Sequence, residues 1–139
     1  MSNTKSILRA DFLPSSIDIG LLLLRVWLGA SLIAMHGMGK WERLMADEVR
    51  FRSVFGLSPE ISLLLAVLGE VVAPALLIVG FASRWMALLA AVMMFFAFTI
   101  GHGSALSGER SGELPFIYLA GFLALFMTGP GRFSLDGRR

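Results

Sequence analysis

Cysteine is missing altogether from the 139 residues. That absence excludes a thiol–disulfide relay, a thiolate nucleophile and a cysteine-held iron–sulfur cluster. Charge is also scarce, at 16% of residues against ~25% in an ordinary soluble domain. The formal net charge of +2 is too small to argue for nucleic acid, and the basic residues lie beside apolar blocks, as membrane flanks do. What the chain has in excess is apolar surface: 56% of residues are hydrophobic. That content excludes a disordered chain, and glycine without a triplet period excludes a collagen-like one. A soluble domain of this composition would leave large apolar patches in water. The chain reads as one integral membrane domain.

Four apolar blocks define the expected fold: Ile19 to about Met38, Glu60 to Phe81, Trp85 towards Glu109, and Leu114 to about Thr128. A spanning helix needs roughly 20 largely apolar residues; the first three blocks meet this and the fourth is short. Arg25 inside the first block and two acids ahead of it argue against a cleaved signal peptide. Between the first and second blocks, Trp41, Leu44, Met45 and Val49 recur at helical spacing among charged residues, which predicts a short amphipathic interfacial helix. The expectation is therefore an all-α, integral membrane four-helix bundle. A polar tail precedes it over 1–18, the bundle domain covers 19–136, and a basic tail closes the chain over 137–139. Small residues four apart, Ala30/Ala34, Gly69/Ala73, Ala87/Ala91 and Ala120/Ala124, offer close helix contacts in lipid.

The short connection 81–84 makes the second and third helices antiparallel neighbours. One side then carries Lys5, Arg9, Arg84, Arg132, Arg138 and Arg139, and the other Lys40, Arg43, Arg50, Arg52 and Arg110. Six against five narrowly places both termini in the cytoplasm.

Ionisable groups inside spanning helices are costly unless paired or hydrated, so they face the bundle interior. Arg25 and Glu70 are such groups. Counted from the same membrane face they lie ~9 Å and ~15 Å deep, within an arginine's reach, and an Arg25–Glu70 pair is expected. Pro74 cannot bond the carbonyl four residues back, that of Glu70 itself. His36, eleven residues after Arg25, continues the Arg25 stripe to the opposite surface. There it joins Lys40, Trp41, His102 and Glu113 in a polar rim. Two histidines and a carboxylate at one depth suit a metal ion, but no two share a ligand spacing within one helix, so no metal site is assigned. With Phe95 and Phe98 nearby, the rim offers hydrogen-bond donors beside an apolar cleft, as a quinone headgroup requires.

Together these residues resemble the DoxX family of small bacterial membrane proteins, over roughly 19–136. The matching pieces are Arg25 with Gly29, His36-Gly37 and Lys40, Phe55-Gly56, Glu70, Gly80 with Arg84, Gly101-His102, Glu113, and the closing run Gly129-Pro130-Gly131-Arg132-Phe133-Ser134-Leu135-Asp136. The resemblance implies a four-helix bundle in a bacterial inner membrane with cytoplasmic termini. It also implies a link to thiosulfate:quinone oxidoreduction or to membrane oxidoreductase complexes handling oxidative or thiol stress. It carries over no catalytic residue.

Three functions follow from different classes. The favoured one is a membrane subunit of a quinone-linked redox complex, with redox partner proteins or further copies of itself in the bilayer. The second is a scaffold without chemistry of its own. The third is a small proton-linked transporter using Glu70 and Arg25. Missing cysteine means that the first needs a bound quinone or a partner; no cofactor other than quinone is implied.

Overall fold

The computed structural model describes residues 16–138, and these contain helices and connecting turns without a strand among them. The tail bearing Lys5, Arg9, Asp11 and Pro14 lies outside the described residues, as does Arg139. Helix α1 runs Ile17–Leu44. Its start is set by Ser16, whose hydroxyl accepts the Ile19 N–H at 3.3 Å, with Asp18 in the first turn favourable to the helix dipole. Helix α2 runs Pro59–Val79; the Ser58 hydroxyl accepts from Ile61 N–H and Pro59 occupies the first turn, where its missing N–H costs nothing. Helix α3 runs Ser83–Gly101 and helix α4 Glu113–Thr128. The first three are long and apolar enough to cross a membrane. At 16 residues, α4 spans ~24 Å against a hydrocarbon core of ~30 Å.

Each of the three long helices carries one widened, π-helical segment. These are Ile33–Gly37 in α1, Leu68–Val72 in α2 and Ala97–Gly101 in α3. In each, the next backbone N–H reaches five residues back: Met38 to Ile33, Ala73 to Leu68 and His102 to Ala97. Pro74 explains the second, since it cannot donate to Glu70. The expected interfacial helix is not formed. Trp41 and Leu44 sit on the last turns of α1, because no proline separates them from the first block and hydrogen bonding continues through the π turn. Residues 45–58 then form turns and irregular chain.

Consecutive helices pack on one another and α1 also packs on α4, giving an up-and-down ring. Its core joins Leu32, Leu77, Ala87, Ala90, Met94 and Phe122. Trp27 and Trp85, each 70% exposed, face outward, which suits contact with lipid. Of the small-residue pairs, Gly69/Ala73 and Ala87/Ala91 are buried, whereas Ala30/Ala34 and Ala120/Ala124 are exposed on the outside of the bundle. A closer approach of α1 and α2 falls at Gly37, where a Cβ would stand 2.7 Å from the Glu70 carbonyl oxygen.

Candidate functional site

The two ends of the bundle hold different polar assemblies. At the end where α2 turns into α3, Gly80 adopts a left-handed conformation (φ 77°) and ends α2. The chain after α4 returns to this turn. Leu135 and Asp136 donate their N–H groups to Val79 and Gly80 carbonyls at 3.3 and 2.9 Å. The Asp136 carboxylate accepts from Ala82 and Ser83 N–H at 3.0 and 2.7 Å, capping α3. Asp18 accepts from Arg132 N–H at 2.9 Å. Arg25, 1% exposed, gathers three carbonyls: Nε donates to Ile78 O at 3.3 Å, Nη1 to Pro130 O at 2.5 Å, and Nη2 to Phe133 O.

Arg25 and Glu70 are thus both buried but are not paired with each other. The guanidinium lies beside Gly80, ten residues and ~15 Å along α2 from Glu70, with fully buried Ala73 and Leu77 between. Depth along the helices alone leaves the partner of each group open. A long side chain settles where acceptors converge, and for Arg25 those are the carbonyls of the closing segment.

At the opposite end, Glu70 finds Lys40. The Lys40 Nζ to Glu70 Oε2 distance is 2.5 Å, and the same ammonium lies 3.5 Å from the His36 carbonyl. Glu70 is 6% exposed, so the pair is largely withdrawn from solvent and correspondingly strong in its local attraction. His36 Nε2 is buried and has no hydrogen-bond partner among the described residues. His102 places Nδ1 3.2 Å from the Arg110 carbonyl in the loop before α4. Tyr118 donates to the Ser31 hydroxyl at 2.7 Å, and Ser31 to Trp27 O at 2.6 Å.

Two adjoining cavities open onto this cluster. The larger, about 430 Å³, is an apolar groove between α2 and α3, walled by residues such as Leu65, Val92, Met93 and Phe96. The smaller, about 100 Å³, is lined by His36 and Tyr118 among others. Lys40, Glu70, Ala97 and His102 border both. The loop Phe51–Phe55 closes one side of the groove: Val54 N–H is held by the Ser62 hydroxyl at 3.0 Å, and the Phe55 ring meets Phe96 edge-on, centroids 4.9 Å apart. Phe55 takes a left-handed backbone (φ 55°) to do so, a conformation that costs a bulky residue of order 1–3 kcal/mol.

Of the rim expected from sequence, His36, Lys40 and His102 come together. Trp41 is on the outer surface and Glu113 is exposed at the start of α4; neither lines either of these two cavities. The aromatic wall is made by Phe51, Phe55 and Phe96 instead of Phe95 and Phe98; Phe95 faces outward and Phe98 packs on Phe116. Sequence reasoning missed Glu70 as a member of this rim, and with it Arg52, Ser62 and Tyr118. For Glu70 the signal was present, since Pro74 marks the break that places it there. No group of three metal-ligating side chains is assembled among the described residues.

Three apolar helices of spanning length and a polar cluster at the end of an apolar groove define an all-helical membrane protein. The family model described as DoxX matches residues 20–103, and the chain belongs to the DoxX family. That stretch contains Arg25, His36, Lys40, Glu70 and His102, while Glu113 and the closing Gly129–Asp136 run lie beyond it. No curated protein and no solved structure matches the chain.

Proposed function

We propose that this protein is the membrane subunit of a quinone-linked redox complex, with the quinone headgroup in the groove between α2 and α3. The observation that carries the reading is the groove itself: about 430 Å³ of apolar space that ends on Lys40, Glu70 and His102. Small-molecule sites fall at ~300–1,000 Å³ with few polar groups that fix orientation. The residues present fit a quinone. Lys40 supplies donors, Phe55 and Phe96 supply aromatic surface, and the buried His36 Nε2 is an unmet hydrogen-bonding atom beside the head of the groove. When bound, a quinone supplies the two-electron, two-proton carrier that a chain without cysteine cannot. The chain's own part is to hold and orient that headgroup, to exclude lipid with the Phe51–Phe55 loop, and to keep a carboxylate, an ammonium and two imidazoles within proton-transfer reach of it.

The setting we propose is a bacterial inner membrane, with α4 completing a four-helix membrane bundle. Both termini face the cytoplasm, so the groove head lies near the outer surface, where an electron-donating or -accepting partner protein would dock. Fusions of a compartment reporter after residues 10 and 139 are expected to report the cytoplasm alike.

The test is quinone content and affinity of purified wild type against Lys40→Ala, His36→Ala and His102→Ala. Each variant is expected to lose about tenfold or more in affinity while remaining folded. A wild-type protein without measurable quinone affinity would overturn this reading and leave a scaffold.

A further inference from the structure

Resting on that quinone-linked reading, we infer that the groove selects the reduced, dihydroxy form of the headgroup over the oxidised dione. The selection depends on which ring nitrogen of His102 remains for a ligand. The Arg110 carbonyl, 3.2 Å from Nδ1, can only accept. Nδ1 therefore carries the proton, and in the neutral ring Nε2 is left as an acceptor. His102 borders both cavities, so what it offers a ligand there is a lone pair.

Glu70 adds a second acceptor. Its carboxylate oxygen accepts from Lys40 at 2.5 Å, and a carboxylate in such an ion pair has no hydrogen to give. Of the residues that border both cavities, Lys40 is the one whose side chain can donate to a ligand, and its ammonium already serves Glu70 and the His36 carbonyl; Arg52 and Ser62 line the larger cavity alone, His36 the smaller, and Tyr118 gives its hydrogen to Ser31. A hydroxyl meets this set from both sides: its oxygen accepts from Lys40 while its hydrogen goes to His102 Nε2 or to Glu70. Where the two cavities meet, a dione carbonyl finds the Lys40 donor alone, and it turns lone pairs towards the lone pairs of His102 and Glu70. The cost of leaving such acceptors unpaired away from water falls on the oxidised ligand. The groove's apolar walls, Leu65, Val92 and Met93 among them, treat the two forms alike, so the discrimination rests on the polar head.

The experiment is a calorimetric titration of the purified full chain in lipid nanodiscs, with empty nanodiscs as the partition control. The probes are a short-chain alkyl-1,4-hydroquinone kept reduced under anaerobic conditions and the matching alkyl-1,4-benzoquinone. The reduced form is expected to bind about tenfold more tightly. His102→Asn keeps an amide donor in the place of Nδ1, and with it the bond to Arg110, but lacks the second nitrogen. It is expected to bring the two affinities within about threefold. Unchanged hydrogen exchange at Gly112, whose N–H is held by Ala105 O, checks that the loop is intact. Equal or tighter binding of the dione by wild type, or a preference that survives His102→Asn, would overturn the inference while the quinone-linked reading stands. Failure of both probes to bind would remove that reading and the inference with it.

Discussion

Replacing Arg25 by methionine tests what holds the closing segment to the bundle. Methionine keeps most of the length of the side chain and removes all of its donors. Three carbonyls, of Ile78, Pro130 and Phe133, lose their shared partner. A hydrogen bond to a charged donor contributes ~1.5–3 kcal/mol, and breaking a buried charged network from one side costs ~3–5 kcal/mol. Two effects reduce the loss: the substitution also removes the cost of burying a guanidinium, and carbonyls at the end of the bundle can regain water. The lower end of the range wins, ~3 kcal/mol, concentrated in the segment from Pro130 to Asp136.

That concentration gives the assay. The Leu135 and Asp136 amides are bonded to Val79 and Gly80, and their hydrogen exchange reports local opening of the segment. A loss of ~3 kcal/mol speeds exchange there by about 100-fold. The amides of α1 and α2 beside Glu70 keep their rates. Arg25→Lys is expected to recover only part of the protection, because one ammonium cannot fork to three carbonyls. Unchanged exchange at Leu135 and Asp136 with protection lost near Lys40 and Glu70 would refute the reasoning, since it would place the partner of Arg25 at the other end.

Three further outcomes follow from the same geometry. Lys40→Met or Glu70→Gln alone is expected to lower stability in detergent by ~1–3 kcal/mol, because each leaves a partly buried charge unpaired; the double variant recovers most of it, as thermal unfolding would show. Asp136→Asn removes the carboxylate that caps α3 at Ala82 and Ser83 and is expected to cost ~1 kcal/mol by the same measurement. Gly37→Ala puts a methyl 2.7 Å from both the Glu70 carbonyl oxygen and Val71 Cγ2; the overpacking costs ~1–3 kcal/mol, and melting at the wild-type temperature would refute the contact.

The membrane class and the helix positions were legible because they depend on apolar run length. Expected starts at Ile19, Glu60, Trp85 and Leu114 compare with Ile17, Pro59, Ser83 and Glu113 in the structure. The short connection before α3 was equally plain, because Gly80 and the polar Ser83-Arg84 punctuate an apolar stretch. Pairing and facing were less legible. Whether Ala30 or Ala120 meets a neighbour depends on helix rotation, which alanine content does not determine, and both face outward. Arg25 is buried, as expected of an ionisable group in a spanning helix, but its partner differs from the expected one, because its acceptors are backbone carbonyls, which no side-chain pattern announces. Their sequence neighbours were in view: Gly129-Pro130-Gly131-Arg132-Phe133-Ser134-Leu135-Asp136 stood out as a unit, and Arg25 and Gly80 are the sites on which that unit closes.

The candidate site was half legible for a reason that lies in the helices themselves. Spacing arithmetic assumes 3.6 residues per turn, and each long helix departs from it at the site. The π segments Ile33–Gly37, Leu68–Val72 and Ala97–Gly101 carry His36 and Glu70 and lead directly into His102. A wider turn advances each residue by less than 100°, so side chains beyond it leave the stripe on which the first turns were counted. His36 and Lys40 consequently converge on Glu70 while Arg25, on the regular part of α1, points to the other end. Such segments use poorer hydrogen-bond geometry and recur at functional sites. Three of them, on three helices, border one pair of cavities. A scaffold requires only that helices pack, and regular helices meet that requirement at the Gly80 end. The irregular turns gather instead where an ammonium, a carboxylate and two imidazoles border adjoining cavities, which is why we propose the head of the groove as the ligand site.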